Sequence, residues 1–262
     1  MTDSEEVPLE GGERTTVLRR GDLVLREAGP WTASVHTVLR HLEAQGFDAA
    51  PRLAGSGFDE RGREVLSYVE GEVINPAPWS DAAMHRLGEM IARLHDAMRS
   101  FVPPPDALWR PWFGRELGSP DLVGHCDSAP WNIVSREGLP VALIDWEAAG
   151  PVDHLTELAM VAWNNAQLYE DDVAAMNGLP QAAVRLRQVG LLADGYRLAS
   201  AERRLLADRI IAFAAESAAN EVVEQAITPE TRHAPRVWGI AWQTRSVAWL
   251  IRNRRELEQA LA

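Results

Sequence analysis

The hydrophobic pattern of this chain changes period near residue 71, and that change narrows the folds open to it. Before residue 71 the apolar residues sit in short β-rich runs. Val7–Leu9, Thr15–Arg20 and Leu23–Glu27 read as strands, the first two joined through Gly11-Gly12 and the last two by a turn at Gly21-Asp22. One helix interrupts them, from Thr32, its expected cap, to about Gln45. Val35, Val38, Leu39 and Leu42 share one of its faces, and Gly46 is its stop. Strands near Arg52–Ala54 and Glu64–Val69 follow, around a turn at Asp59–Gly62.

After residue 71 helical spacing takes over. Met84, Leu87, Ile91, Leu94 and Met98 recur every three to four positions, behind a cap at Ser80 or Asp81. A proline run at 103–105 leads to short hairpin-like strands at Leu122-Val123, Ile133-Val134 and Val141–Ile144. From Asp153, a helix cap by type, the chain reads as almost wholly helical, including Ala201–Ile227 and a last helix from about Pro235. The expectation is an α+β chain with two lobes. Residues 1–70 would form a small lobe of antiparallel sheet plus one helix, and residues 71–262 a larger, mainly helical lobe.

Charge and cysteine content exclude several classes. The 38 acidic residues outnumber the 26 basic ones, a net charge of −12 that argues against a nucleic-acid binder. All 26 basic residues are arginines, so any site that ordinarily uses lysine must use another residue here. The single cysteine, Cys126, rules out an internal disulfide and a cysteine-rich metal site. No apolar run approaches the roughly 18–20 residues that cross a bilayer, and the first residues are acidic rather than signal-like. A soluble cytoplasmic protein with no membrane partner is expected. Its oligomeric state is not encoded in any pattern of the sequence.

The chemistry is concentrated in one stretch, Val123-Gly-His-Cys-Asp127-Ser-Ala-Pro-Trp-Asn132-Ile-Val, followed by Val141-Ala-Leu-Ile-Asp145-Trp-Glu. Phosphoryl transfer needs a carboxylate to orient the attacking hydroxyl and take its proton, and oxygen ligands for Mg²⁺. Asp127 suits the first task; Asn132 and Asp145 suit the second. An Asp and an Asn five positions apart on a loop can aim at one point, and the hairpin that follows returns a second carboxylate beside them. His125 would brace the loop through hydrogen bonds. A Cys126–His125 nucleophile is rejected, because adjacent side chains on an extended backbone point to opposite faces.

These residues resemble the aminoglycoside phosphotransferase-like, choline kinase-related family of small-molecule kinases, whose members commonly read His-Gly-Asp-x-x-x-x-Asn and then Ile-Asp before an aromatic. Ile91-Ala-Arg-Leu-His95, Leu66-Ser-Tyr-Val-Glu-Gly71, and Gly150-Pro-Val-Asp153 through Glu157-Leu-Ala159 are similar to the helix before the catalytic loop, the hinge, and the segment after the metal aspartate. The likeness spans roughly residues 15–160. It implies a bilobal protein-kinase-like fold and transfer of the ATP γ-phosphoryl group to a hydroxyl of a small molecule, with Mg²⁺ as cofactor and no choice made between ATP and GTP. It further implies adenine against the hinge, on the Ser67 C=O and Val69 N–H, with Gly11 and Gly12 in the turn over the phosphates.

Three departures accompany the resemblance. The family's phosphate-binding lysine is missing, and Arg26 on the third strand is its replacement by position, or else a surface arginine. The helix glutamate that pairs with that lysine falls near Val35-His36, so either His36 takes its place or the pair is absent. Cys126 stands where the family has glycine. By resemblance the acceptor is an aminoglycoside or other antibiotic, with a metabolite alcohol (choline, a sugar, an amino-alcohol) as the next choice. A catalytically silent kinase-fold binding or immunity protein is the alternative of a different class. Charge does not choose among them: residues 1–145 carry net −9 and residues 146–262 only −3, although Glu170-Asp171-Asp172 could line a pocket. Packing in the core is the expected role of most of Trp112, Trp131, Trp146 and Trp163, and a structural role is expected for His95 and His154.

Overall fold

The computed structural model describes residues 5–9, 16–75, 78–231 and 234–262; Gly11 and Gly12 lie outside them. The N-terminal sheet has five antiparallel strands, β1 (Val7–Pro8), β2 (Leu18–Arg20), β3 (Leu23–Arg26), β4 (Leu53–Phe58) and β5 (Glu64–Ser67), in the order β1-β2-β3-β5-β4. The expected hairpin turn at Gly21-Asp22 joins β2 to β3. The β3–β5 register sets Arg26 directly opposite Glu64, and side chains directly opposite on antiparallel strands share a face. That register assembles half of the site.

Helix α1 (Thr32–Ala44) links β3 to β4 and buries Val35, Val38, Leu39 and Leu42, the face read from the sequence. Its cap differs from expectation. Trp31 occupies the N-cap position, and Thr32 is the first helical residue, its hydroxyl accepting from the Gly29 N–H at 2.9 Å. The threonine therefore closes the turn that enters the helix instead of capping the helix itself. Helix α2 (Asp81–Met98) is capped by Ser80, which accepts from the Ala83 N–H at 3.1 Å. Met84, Leu87, Ile91, Leu94 and Met98 are all buried.

The segment that holds Asp127, Asn132 and Asp145 lies among two small sheets. One is β6 (Glu72–Val73), β8 (Ile133–Arg136) and β9 (Leu139–Leu143), in the order β6-β8-β9; the other pairs β7 (Leu122–Gly124) with β10 (Gly150–Val152). The remainder is helical: α3 (His154–Asn165), α4 (Asp171–Met176), α5 (Ala182–Tyr196), α6 (Ser200–Glu224), α7 (Ala234–Arg252) and α8 (Arg254–Leu261). Asp153 caps α3, accepting from the Thr156 N–H at 2.9 Å. One apolar core runs from α1 through α2 and α3 to Leu257 and Leu261 of α8, and Trp146 and Trp163 lie inside it. Each such buried side chain contributes on the order of 1.5–3 kcal/mol by leaving water.

The acidic cluster at 170–172 is spent inside this helical layer. Glu170 pairs with Arg252, Asp171 with Arg185, and Asp172 with Arg245, which docks α4 against α5 and α7. Among the described residues no helix is long and apolar enough to cross a membrane.

Candidate active site

Asp127 follows β7 on a loop whose backbone is held from beneath. The Glu157 carboxylate, fully buried on α3, accepts from the N–H groups of His125 (2.6 Å) and Cys126 (2.9 Å) through Oε1. Its Oε2 accepts from His95 Nε2 on α2 at 2.8 Å, and the Tyr196 hydroxyl bonds the other ring nitrogen at 2.8 Å. Burial alone would raise the Glu157 pKa. The His95 hydrogen bond and charge, with the Cys126 N–H, outweigh that and hold it below the ordinary value. Gly124 makes the contact possible, since a Cβ there would stand 2.0 Å from Glu157 Oε2.

His125 braces the loop from within. Its Nε2–H donates to the Ile144 carbonyl at 2.9 Å, which leaves Nδ1 to accept the Asp127 N–H at 3.2 Å. Burial lowers its pKa, in keeping with this neutral tautomer. Trp146 meets the ring edge-on at 4.6 Å between centroids. Cys126 adopts φ +62°, the left-handed conformation that glycine takes without strain, which accounts for the glycine usual at this position. Burial pushes its thiol pKa far up, so it is no nucleophile.

Asn132 donates from Nδ2 to the Asp127 carbonyl (3.0 Å) and to Asp127 Oδ2 (2.8 Å). Its side-chain oxygen has no partner among the described residues. Asp145, at φ +60°, lies two residues past β9 and turns its carboxylate toward the N-terminal sheet, where Arg26 Nη1 meets Oδ1. The Asp127 carboxyl is pushed up to about 7, first by burial and then by the Asp145 charge, with the Asn132 hydrogen bond opposing them.

Arg26 is not a surface residue. Its Nε donates to Glu64 Oε2, and the Oε1 of the same carboxylate meets His36 Nε2 at 3.0 Å. Glu64 is 1% exposed and His36 1%. Burial would raise the Glu64 pKa; His36 and Arg26 together bring it below the ordinary value. The carboxylate partner of the clamp therefore comes from β5, not from the helix near Val35-His36, and His36 joins it as a third member. Against Gly57 of β4, a Cβ would strike the His36 ring at 2.6 Å.

The sequence model of the phosphotransferase enzyme family matches residues 4–122. Over 260 residues the chain is 54% identical to the trifolitoxin immunity protein of Rhizobium leguminosarum bv. trifolii, an alignment covering 99% of this chain and all of that one. The chain belongs to the family of that immunity protein, and its residues 4–122 match the phosphotransferase enzyme family. Solved structures agree in fold. A choline/ethanolamine kinase family protein from Mesorhizobium loti superposes with a TM-score of 0.63 at 16% identity, over 98% of this chain and 92% of that one. An amicoumacin kinase in complex with AMP-PNP and Ca²⁺ gives 0.65 at 16% identity, over 97% and 88%.

Asn132 thus bonds Asp127 and Arg26 bonds Asp145, while His125 braces the Asp127 N–H and His36 braces the Glu64 that holds Arg26. At the hinge the Ser67 N–H is spent on the Arg52 carbonyl (2.7 Å) and the Tyr68 N–H on Asp22 (2.7 Å), whereas the Val69 N–H has no partner among the described residues. The sequence reading missed Glu64 as the clamp's carboxylate and Glu157 as the loop's support. A signal for the first was present: an arginine and a glutamate placed so that the β3–β5 pairing brings opposite charges face to face.

Proposed function

We propose that this protein transfers the γ-phosphoryl group of ATP to a hydroxyl of a toxin akin to trifolitoxin, and so protects the cell that makes it. The observation that carries this reading is the pairing of Asn132 with Asp127 and of Arg26 with Asp145. Asp127 orients the acceptor hydroxyl and takes its proton, and a carboxyl titrating near neutrality is well matched to that task. Asn132 fixes the Asp127 rotamer from its amide nitrogen and keeps its oxygen for the metal. Arg26 steadies the phosphates with a planar, permanently charged fork. In this reading the segment at Ser67 and Val69 receives the base.

The donor set fits magnesium. Among the described residues no group of three or more His, Cys, Asp or Glu could hold a metal by itself. Mg²⁺ in phosphoryl-transfer sites takes one or two protein oxygens, several waters and the phosphates themselves. Asn132 and Asp145 supply two such oxygens. Held by Asn132 and Asp145, the ion would supply positive charge to offset that of the phosphates.

A second reading keeps the fold and drops the chemistry. Arg26 pairs with Asp145, the carboxylate a metal would need, and the relative that is 54% identical is an immunity protein by name. A silent toxin-binding protein would fit both facts. Labelled phosphate from ATP, offered with trifolitoxin, hydroxyl-bearing antibiotics and amino-alcohols such as choline, separates the readings. The expected result is Mg²⁺-dependent label on the toxin, reduced roughly 10²–10⁴-fold in Asp127→Ala with nucleotide binding retained. No nucleotide binding at millimolar Mg·ATP, with toxin protection intact in Asp127→Ala cells, would establish the silent reading instead.

A further inference from the structure

Residues 108–115 form a strap along the edge of the cleft, tied at both ends to elements that carry site residues. At one end the Leu108 N–H donates to Ser34 Oγ of α1 at 2.8 Å. At the other, Arg115 donates to the carbonyls of Ala148 (2.9 Å) and Pro151 (2.8 Å), in the segment just after Asp145. Arg115 also holds the Arg110 carbonyl at 3.0 Å. Arg110 is thus a fixed point on a tethered strap.

Its guanidinium lies 5.5 Å from the ring centre of Trp31, at the start of α1, and pairs with Glu147, two residues beyond Asp145. Both members of the pair keep about a quarter of their surface exposed, 27% and 26%. Glu147 lies two residues past Asp145, and Arg115 ties the strap to Ala148 and Pro151, so the pair stands on the side of the site that carries Asp145.

The cleft's charges are unbalanced for handling a polyphosphate. Asp127, Asp145 and Glu147 face Arg26 and Arg110, and Arg26 is already shared between Glu64 and Asp145. No lysine exists to add a charge. In the transfer step, the bond from the γ-phosphorus to the β–γ bridging oxygen breaks and a bond to the acceptor oxygen forms. The acceptor proton passes to Asp127 and ADP leaves. Negative charge spreads over the γ-phosphoryl oxygens on the way, and fixed cations there lower the barrier. An exposed Arg–Glu pair contributes at most about 1 kcal/mol to stability, which is little reason for so well tethered a strap.

We propose that Arg110 is the second phosphate-directed cation of this site, parked on Glu147 and turned to the γ-phosphoryl group when nucleotide enters. The inference rests on the kinase reading above. It assigns to a C-lobe strap a charge that the single N-lobe arginine does not supply.

Calorimetric titration of the full-length protein with Mg·AMP-PNP and Mg·ADP tests it. Arg110→Gln should weaken AMP-PNP binding about tenfold, the value of one charged hydrogen bond, and change ADP binding less than about twofold. ATP hydrolysis without acceptor should fall about a hundredfold, with part of it recovered in Arg110→Lys. Should Arg110→Gln not fold, Arg110→Lys gives the same contrast at lower amplitude. Equal losses for the two nucleotides, or no loss for either, would overturn the proposal. So would unchanged hydrolysis with a raised acceptor KM, since Arg110 would then serve the acceptor. A wild-type protein that binds neither nucleotide would instead remove the kinase reading, and this inference with it.

Discussion

Glu64 in the N-terminal sheet and Glu157 on α3 are both almost fully buried, at 1% and 0% exposure, yet they hold their halves of the site with different chemistry. Glu157 spends one oxygen on two backbone N–H groups, so it dictates the path of the loop that presents Asp127. Glu64 touches side chains only, His36 and Arg26, and the arginine it holds reaches on to Asp145. The first half is built into the backbone. The second is a side-chain clamp whose far end holds Oδ1 of Asp145. A backbone-built loop is hard to re-engineer, whereas a side-chain clamp can trade lysine for arginine and a helix glutamate for a strand glutamate.

Glu157→Gln gives the sharpest break. It places an amide N–H₂ among three donors and removes a buried charge partner, an expected loss of about 3–5 kcal/mol in urea unfolding. A loss under about 1 kcal/mol would mean that the loop holds its shape without this carboxylate. The sign follows from the lowered pKa. The carboxylate's contribution is complete above its ordinary unfolded value and lost as pH falls through the depressed one. The variant should therefore lose part of the wild-type protein's acid sensitivity.

Glu64→Gln breaks the other half and should cost less, about 2–3 kcal/mol, because Arg26 retains Asp145 and partial exposure at the cleft. Nucleotide affinity, read by calorimetry, should fall about tenfold, a coupling the loop carboxylate need not show. Arg26→Lys is milder. A lysine restores the charge but cannot fork between two carboxylates, so about 1 kcal/mol of stability and a several-fold change in nucleotide affinity are expected. Should Lys bind nucleotide as well as Arg, the clamp is a simple substitution within the family's plan.

His154 supplies the smallest and most exposed case. Burial would lower its pKa, yet hydrogen bonds with Asp121 and Glu202 raise it overall. This stabilisation is complete below the ordinary histidine value and lost as pH rises through the raised one. His154→Gln should remove up to about 1 kcal/mol of stability near pH 6 and almost nothing near pH 9, the size expected for solvent-screened pairs.

The catalytic segment was legible because its parts are close in sequence. Asp127 and Asn132 lie five positions apart, Asp145 returns after the next hairpin, and the His125–Ile144 hydrogen bond closes the unit. The apolar faces of α1 and α2 were equally plain, since helical spacing is a local property. The cap of α1 was misread because Thr32 could serve either the helix or the turn before it, and only the path of Gly29–Trp31 decides. By sequence the acidic run at 170–172 could line a pocket; α5 and α7 bring arginines to it instead.

The sequence alone singled out the oxygen donors Asp127, Asn132 and Asp145, and its lack of lysine left any cation beside them to arginine. Tertiary structure decided how the clamp and the loop are held. Arg26 finds Glu64 across 38 residues by strand register, and His95 finds Glu157 across 62 by the packing of α2 on the catalytic segment. Local spacing fixes which side chains share a face, but which faces meet is settled by the burial of the whole core.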